Sequence, residues 1–225
     1  MQEPRKNDSV CVLVSGGIES SILLHEALSR YQSVTPVYIQ NHLRWEEVEL
    51  FWLKKFLRHF KSDKLEPNRI LDAMMRDLYE GHWSLSGIKV PDSKSSDEAV
   101  YLPGRNIVFL SKCACFAAMN DISTIEIGIL KGNPFNDSSK SFLKKMATVL
   151  SQGLNKEIFI KAPFEKLRKE DVILMGKKLP LEFTFSCMNP KGYEHCGECN
   201  KCTERKRAFF SAGVSDKTKY KKAGI

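Results

Sequence analysis

The sequence predicts an α/β fold in which helices cover both faces of a parallel sheet. Apolar runs of strand length alternate with longer helical patterns along the 225 residues, and this alternation is typical of parallel sheets. The hydrophobic fraction of 42% and the charged fraction of 28% are ordinary for a chain that buries a sizeable core. No internal repeat or low-complexity segment indicates another architecture.

The first strand and helix have the clearest signals. Residues 10–14 form an apolar run of strand length that leads into a Gly-Gly turn. Apolar side chains then recur at helical spacing between residues 18 and 28, whereas His25 and Glu26 fall on the polar side. This segment is therefore predicted to be an amphipathic helix.

The remaining elements continue the alternation in order along the chain. Four further strands are predicted at residues 35–39, 69–71, 124–129 and 158–160. Four further helices are predicted at residues 45–60, 107–119, 139–150 and 169–178, the last of these being the last full helix. The polar residues 91–98 are predicted to form a mobile loop, and such loops often act as lids.

The charge balance and the termini suggest a cytoplasmic enzyme with an anionic ligand. The formal net charge is +8, which suits a polyphosphate, a nucleic acid or an acidic protein. The C-terminal basic residues are expected to form a solvated, frayed tail; they are Lys201, Arg205, Lys206, Arg207, Lys217, Lys219, Lys221 and Lys222. Residues 1–8 are too polar for a secretion signal, and no apolar run reaches the roughly 18 to 20 residues that cross a bilayer.

Four of the seven cysteines form a cluster with metal-binding spacing. Cys187, Cys196, Cys199 and Cys202 follow the pattern C-x8-C-x2-C-x2-C. Four thiolates close the shell of a single tetrahedral ion and leave no position for water, which indicates a structural Zn²⁺ site. An iron–sulfur cluster is the main alternative, and His195 could compete as a ligand. The other three cysteines lie in apolar stretches and are predicted to be core residues; they are Cys11, Cys113 and Cys115.

A glycine-rich loop follows the first strand and predicts an anion site. Residues 15–21 read Ser-Gly-Gly-Ile-Glu-Ser-Ser, and a helix starts within them. Two glycines let the backbone approach an oxyanion, and the helix start presents unpaired N–H groups. The loop lacks the lysine of a Walker A motif and the spacing of a dinucleotide-binding motif. It resembles the SGGxDS loop of PP-loop ATP pyrophosphatases, which split ATP between the α and β phosphates.

Glu19 stands where the PP-loop pattern has an aspartate. A glutamate keeps the charge and can still hold Mg²⁺, although its extra methylene moves the carboxylate. The resemblance assigns nucleotide binding to nine residues, which are Val14, Ser15, Gly16, Gly17, Ile18, Glu19, Ser20, Ser21 and Gly128.

The loop and the cysteine cluster together resemble the QueC-type family, the 7-cyano-7-deazaguanine synthases. Residues 102–106 are similar to its PGRN element, and residues 183–187 resemble its LTWSC stretch with Phe185 replacing tryptophan. Further similarities lie at Ile127-Gly128, at Asn136-Asp137, at Pro163 with Lys169, and at the CGxCxxC of residues 196–202. The resemblance implies an adenine-nucleotide α-hydrolase-like fold with a five-stranded parallel sheet. It divides the chain into a nucleotide-binding domain at 1–182 and a zinc lobe at 183–225, packed as one compact unit.

The resemblance also implies a reaction and residue roles. 7-Carboxy-7-deazaguanine would be adenylated, ammonia would displace AMP to give an amide, and a second ATP would drive dehydration to the nitrile. Arg105 and Lys169 are the expected catalytic residues, Arg105 by stabilising charge on transferring oxygens. Asn106, Asp137 and Phe185 are the expected substrate-binding residues, Asp137 by accepting hydrogen bonds from a guanine-like N–H edge.

Several departures from the family crowd around the expected pocket and leave alternatives open. The segment after the second strand, which includes His42 and Arg44, differs from the family's YGQ-[RK]-H, and the family's D-C-R becomes Asp137-Ser138-Ser139. One alternative is a diverged enzyme that joins the activated acid to a protein or nucleic-acid amine. The others are a tRNA-modifying PP-loop enzyme and a nucleotide-binding module without catalysis. A homodimer is compatible with each.

Overall fold

The computed structural model describes residues 8–221, which fold around one parallel sheet. Its five strands are β1 (Ser9–Leu13), β2 (Ser33–Gln40), β3 (Arg69–Asp72), β4 (Thr124–Glu126) and β5 (Phe159–Lys161). They lie in the order β3-β2-β1-β4-β5, and every neighbouring pair is parallel. The predicted α/β class and the five-stranded parallel sheet are confirmed.

Seven helices accompany the sheet in the described part of the chain. They are α1 (Ile18–Arg30), α2 (Glu46–Leu57), the short α3 (Trp83–Ser86), α4 (Arg105–Met119), α5 (Lys140–Leu154), α6 (Lys169–Met175) and α7 (Asn200–Ser211). The alternation of β1 side chains explains the two layers, because successive residues of a strand point to opposite faces. Val10 and Val12 pack with α1, α6 and α7, whereas Cys11 and Leu13 pack with α4 and α5.

The strand order creates a crevice at the centre of the sheet. β1 lies between β2 and β4, so the chain leaves β1 toward one side of the sheet and leaves β4 toward the other. Ligands of open α/β sheets bind outside the carboxyl ends of the strands at such a switch point. The glycine-rich loop follows β1 directly, and the segment that starts at Ile127 follows β4, so both flank this crevice.

The prediction that 169–178 is the last full helix is wrong, because α7 follows it. This helix starts directly after the cysteine cluster, with Cys199 as its N-cap residue. Ala208 and Phe209 of α7 pack in the same core as α1 and β1. The division into 1–182 and 183–225 therefore stays a prediction, since the C-terminal segment shares a hydrophobic core with the sheet.

Over the described residues the predicted basic tail is not frayed, although Lys206, Arg207, Lys217, Lys219 and Lys221 are solvent-exposed as expected. The guanidinium of Arg205 is fully buried and donates to Thr218 Oγ1, Thr184 Oγ1 and the Leu181 carbonyl at 2.8 to 2.9 Å. Lys221 donates its backbone N–H to the His195 carbonyl, which places the end of this segment beside the cysteine cluster. Buried, saturated contacts of this kind fix the segment from 212 to 221 against the domain. Lys222 and residues 1–7 lie outside the described residues.

The predicted core position of Cys115 is wrong, whereas the mobile loop predicted at residues 91–98 stays a prediction. Cys115 is exposed on α4, in contrast to the buried Cys11 and Cys113. Residues 91–98 contact the C-terminal lobe through Asn200, whose Nδ2 donates to the Ser95 carbonyl at 3.0 Å. No helix among residues 8–221 combines the length and the apolar character that a bilayer crossing requires.

Candidate functional site

A cavity of about 700 Å³ opens at the carboxyl ends of β1 and β4. Its walls come from the glycine-rich loop, from the segment after β4, from the start of α4 and from the C-terminal lobe. Predicted site residues from all of these segments line it, and these are Val14, Ser15, Gly17, Glu19, Ser20, Arg105, Asn106, Gly128, Asp137, Lys169 and Phe185. Residues separated by up to 171 positions therefore meet at one place.

The glycine-rich loop presents free backbone donors to the cavity. Gly17 is the N-cap residue of α1, and no side chain caps this helix start, so its first N–H groups are available to an anion. The hydroxyls of Ser15 and Ser20 lie 3.2 Å apart beside them. Gly16 has φ +74°, and a Cβ there would lie 3.3 Å from the Glu49 carbonyl oxygen. Both its backbone conformation and its close packing therefore require glycine.

Three of the predicted nucleotide-binding residues do not line the cavity. Gly16 packs against α2, as its contact with Glu49 shows. Ile18 and Ser21 are fully buried, and Ile18 belongs to the core that contains α1. These three residues support the glycine-rich loop from the side away from the cavity.

Gly128 brings the end of the β4 segment against the loop. A Cβ at this position would lie 3.2 Å from the Ser20 backbone nitrogen and 3.3 Å from the Glu19 Cβ. Glycine therefore allows the two segments to approach closely at the switch point of the sheet. The start of α1 keeps its position because Gly128 leaves this space open.

A chain of ion pairs links the loop to the C-terminal lobe. Lys169 Nζ lies 2.8 Å from Glu19 Oε1 and 2.9 Å from Glu204 Oε1. Lys201 Nζ lies 2.8 Å from the other oxygen of Glu204. The two neighbouring carboxylates raise the pKa of Lys169, although burial acts in the opposite direction and is the largest single influence. Lys169 therefore carries a fixed positive charge beside the glycine-rich loop.

Arg105 and Asp137 line the cavity, and each has a buried polar atom without a partner. The Asn106 N–H donates to Asp137 Oδ2, and the Asn106 side-chain amide donates to the Asp137 carbonyl, both at 3.3 Å. Among residues 8–221, Asp137 Oδ1 and Arg105 Nε are buried without a hydrogen-bond partner. Burial raises the pKa of Asp137. A buried donor and a buried acceptor that lack partners indicate a place where a polar ligand supplies them.

Phe185 connects the lobe to the loop as well as lining the cavity. Its backbone N–H donates to the Gly16 carbonyl at 2.7 Å. Its ring is 1% exposed and packs on the His195 ring with centroids 4.6 Å apart. The side chain therefore belongs mainly to the core beneath the cavity, together with the four cysteines.

The four cysteines converge at one point under this core. Their Sγ atoms all lie within 4.8 Å of one another, with Cys196 and Cys202 at 3.9 Å and Cys187 and Cys199 at 4.0 Å. The backbone N–H of Cys196 donates to the Cys187 sulfur, and such donors stabilise thiolates. His195 is not part of the set, because its Nε2 accepts the Ser186 N–H at 3.1 Å.

The structure also shows site residues that sequence reasoning missed. Glu49 of α2 lines the cavity and accepts a hydrogen bond from Tyr38 Oη at 2.6 Å, and Lys201 and Glu204 line it from α7. His42 and Arg44 lie elsewhere: they bond to Asp72 and Asn189, respectively. The only sequence signal for Glu49 is an acid at a helical position that is otherwise apolar.

Comparison with solved structures supports the fold. The U34-tRNA thiolase NcsA from Methanococcus maripaludis with its [4Fe-4S] cluster superposes with a TM-score of 0.50 at 13% identity, covering 93% of this chain and 67% of that one. A 4-thiouridine synthetase–RNA complex with bound ATP gives 0.52 at 15% identity, covering 92% and 50%. At these identities the similarity shows the shared PP-loop fold alone.

Proteins found by sequence similarity have higher identities to this chain than these solved structures do. The family model described as queuosine biosynthesis protein QueC matches residues 9–213. The 7-cyano-7-deazaguanine synthase of Leptospira interrogans is 31% identical over 94% of this chain and 90% of its own length. The enzymes of the same name from Campylobacter jejuni and Methanococcus aeolicus are 30% and 28% identical, and both are covered over 98% of their length. The chain belongs to the QueC family of queuosine biosynthesis proteins, as its motifs predicted.

Proposed function

We propose that this protein is an ATP-dependent 7-cyano-7-deazaguanine synthase. It adenylates 7-carboxy-7-deazaguanine, lets ammonia displace AMP to form the amide, and uses a second ATP to dehydrate the amide to the nitrile. Family membership and the names of the relatives support this proposal. The observation that carries it is that an uncapped, glycine-rich helix start lines the same cavity as Arg105 and Asp137, each of which has a buried polar atom without a partner.

The glycine-rich loop fits the polyphosphate of ATP. The free N–H groups at the start of α1 and the hydroxyls of Ser15 and Ser20 are neutral donors for the phosphate oxygens. Glu19 supplies a carboxylate at the same loop and is the residue that would hold Mg²⁺. A bound Mg²⁺ would neutralise charge on the phosphates. Lys169, already held between two carboxylates, adds a fixed positive charge.

Arg105, Asn106 and Asp137 fit the deazaguanine acid and its activation. Asp137 Oδ1 is free to accept a hydrogen bond from a guanine-like N–H group, and Asn106 holds the other carboxylate oxygen in place. The Arg105 guanidinium, stacked over the Phe109 ring at 4.8 Å, can stabilise negative charge that develops on the transferring oxygens. Together, Asp137 and Arg105 would align the carboxylate of the substrate with the α-phosphate of ATP.

The four-cysteine set fits Zn²⁺ better than an iron–sulfur cluster. Zn–S bonds of about 2.3 Å in a tetrahedral site place the sulfurs about 3.8 Å apart, close to the 3.9 and 4.0 Å found for two of the pairs, and all four sulfurs lie within 4.8 Å of one another. A cubane cluster places four irons between its cysteines and needs the sulfurs farther apart. The ion would be structural, and it would hold Phe185 against the loop. Reduced thiolates and an ATP supply favour the cytoplasm as the compartment.

The test is a reaction in which every product is identified. The protein is incubated with ATP, Mg²⁺ and 7-carboxy-7-deazaguanine, with and without ammonium, and AMP, pyrophosphate, amide and nitrile are measured by mass spectrometry. We expect AMP release that depends on the acid, and nitrile that depends on ammonium. ATP consumption that does not respond to the acid would contradict the proposal. A deazaguanine adduct on an added protein or nucleic acid, in place of the nitrile, would favour the macromolecular acceptor instead. Size-exclusion chromatography of the same sample distinguishes a monomer from a homodimer.

A further inference from the structure

Glu49 is a buried carboxylate in the cavity wall to which the proposed roles assign nothing. It lies on α2, is 7% exposed, and lines the cavity together with Gly17 and Arg105. A Cβ on Gly16 would lie 3.5 Å from its Cγ, so the base of its side chain lies against the phosphate loop. Glu49 therefore belongs to the wall of the cavity in which the acyl-adenylate would form.

Only one of the two Glu49 oxygens is used within the protein. Tyr38 Oη donates to Oε2 at 2.6 Å, which orients the carboxylate. Oε1 has no hydrogen-bond partner among residues 8–221 and is not closed off from the cavity. One oxygen is thus anchored, and the other is available to a ligand.

Glu46, one turn earlier on the same helix, shows what a structural carboxylate looks like here. It is 4% exposed, and its two oxygens accept the backbone N–H groups of Asn41 and His42 at 2.8 and 2.6 Å. It does not line the cavity. Both glutamates are buried, but only Glu49 faces the space in which chemistry would occur.

The surroundings of Glu49 suit a group that takes up and releases a proton near neutral pH. Its ionisable neighbours are Tyr38 on β2, Glu46 on α2 and Arg105 on α4. Burial raises the pKa of Glu49 to about 7, while Arg105 and the Tyr38 hydrogen bond act in the opposite direction. A carboxyl group balanced in this way has the basicity that general-base catalysis requires.

We propose that Glu49 is the general base of the nitrogen step, binding ammonium through its free oxygen and accepting one of its protons. This inference rests on the proposed function. The ammonia left behind attacks the acyl carbon of the adenylate: a C–N bond forms, the C–O bond to AMP breaks, and AMP leaves with that electron pair. The amide nitrogen then gives its extra proton to solvent, and Glu49 releases the proton that it accepted to solvent when the products leave.

The test separates adenylation from the nitrogen step in Glu49→Gln. Exchange of labelled pyrophosphate into ATP, dependent on the acid, needs no nitrogen and is expected to change no more than a few-fold. Amide formation from ammonium at pH 7 is expected to fall about 100-fold or more. Hydroxylamine, which is neutral at this pH, is expected to trap the adenylate equally fast in both proteins. Amide formation at the unsubstituted rate, or equal losses in exchange and amide formation, would overturn the proposal.

Two further variants guard against a merely structural effect. Glu46→Gln disturbs a buried carboxylate outside the cavity, and we expect it to leave the ratio of amide formation to pyrophosphate exchange unchanged. Tyr38→Phe keeps Glu49 but removes the hydrogen bond that lowers its pKa. We expect it to move the acidic limb of the ammonium-dependent rate to higher pH, and an unmoved limb would overturn the assignment. If the unsubstituted protein shows no acid-dependent exchange, the proposed function itself has failed, and this inference falls with it.

Discussion

Lys169 contacts Glu19 of the phosphate loop at 2.8 Å, so a side chain from α6 neutralises the acid that stands where the family pattern has an aspartate. The same ammonium contacts Glu204 of α7, which lies two residues after Cys202. The loop, α6 and the C-terminal lobe are thus joined through one cation. The longer reach of glutamate fits this arrangement, because Glu19 extends toward α6 as well as toward the cavity.

Lys169→Met should weaken both stability and adenylation. Methionine keeps the length of the side chain but leaves the carboxylates of Glu19 and Glu204 without their common partner. Because the side chains of Glu19 and Glu204 are partly exposed to solvent, we expect a loss of about 1 to 3 kcal/mol in unfolding free energy. Acid-dependent pyrophosphate exchange should fall at least about 10-fold. Lys166→Met, at an exposed position of the same segment, is the control and should change neither quantity.

Gly128→Ala should reduce ATP binding more than stability. The added methyl would lie 3.2 Å from the Ser20 nitrogen, so the start of α1 must move away from the β4 segment. A displacement of well under 1 Å suffices to spoil the alignment of the N–H donors, and we expect ATP to bind about 10- to 100-fold more weakly by calorimetry. The control is Gly153→Ala in α5, where a Cβ meets nothing within 4 Å. Unchanged ATP affinity in Gly128→Ala would show that this contact does not position the loop.

The sheet and the cysteine cluster could be predicted from the sequence because both have local signatures. Residues 10–14, which include most of strand β1, form an unbroken apolar run, and the cysteines follow a fixed spacing. Helix α7 escaped prediction because its buried side chains include Asn200 and Arg205 and so do not form an apolar stripe. Its position depends on the cysteine cluster and on the contacts of Arg205, which no hydrophobic periodicity reveals.

Glu49 could not be singled out for a related reason. Helix α2 carries Glu46, Glu47 and Glu49, and the sequence separates Glu49 from the other two only by its position among apolar residues, which does not show that it reaches a cavity. In the structure one caps a loop, one is exposed, and one faces the cavity. These differences depend on the orientation of α2 against β2 and on the position of Tyr38, both of which are set by tertiary packing.

Cys199→Ser should remove the metal and lower thermal stability. A serine oxygen is a poor substitute for one of four thiolates, so we expect bound zinc, measured by atomic spectrometry, to fall to background. The melting temperature should fall by about 10 °C, because metal binding contributes directly to folding. Cys115→Ser removes an exposed cysteine outside the cluster and should retain both metal and stability. Iron and labile sulfide in the purified protein, in place of zinc, would contradict the zinc assignment.

Glu49→Gln should make the protein more stable at pH 8 relative to the unsubstituted chain than at pH 5. Burial raises the pKa of Glu49 to about 7 in the folded state, above its ordinary value in the unfolded chain. Between these two values the folded protein binds more protons than the unfolded one, so its stability is highest below the ordinary pKa and falls as pH rises toward 7. Glutamine removes this pH-dependent contribution.

The size of that effect can be measured by urea unfolding at both pH values. We expect the difference in unfolding free energy between Glu49→Gln and the unsubstituted protein to shift by about 1 to 3 kcal/mol in favour of glutamine between pH 5 and pH 8. Val48→Ala, a neighbouring buried substitution on α2 without an ionisable group, should cost the same at both pH values. A pH-independent effect of Glu49→Gln would mean that the carboxylate is well solvated through the cavity. If Glu49→Gln is more stable than the unsubstituted protein at pH 8, the charged carboxylate is kept at the expense of stability, as expected of a group retained for chemistry.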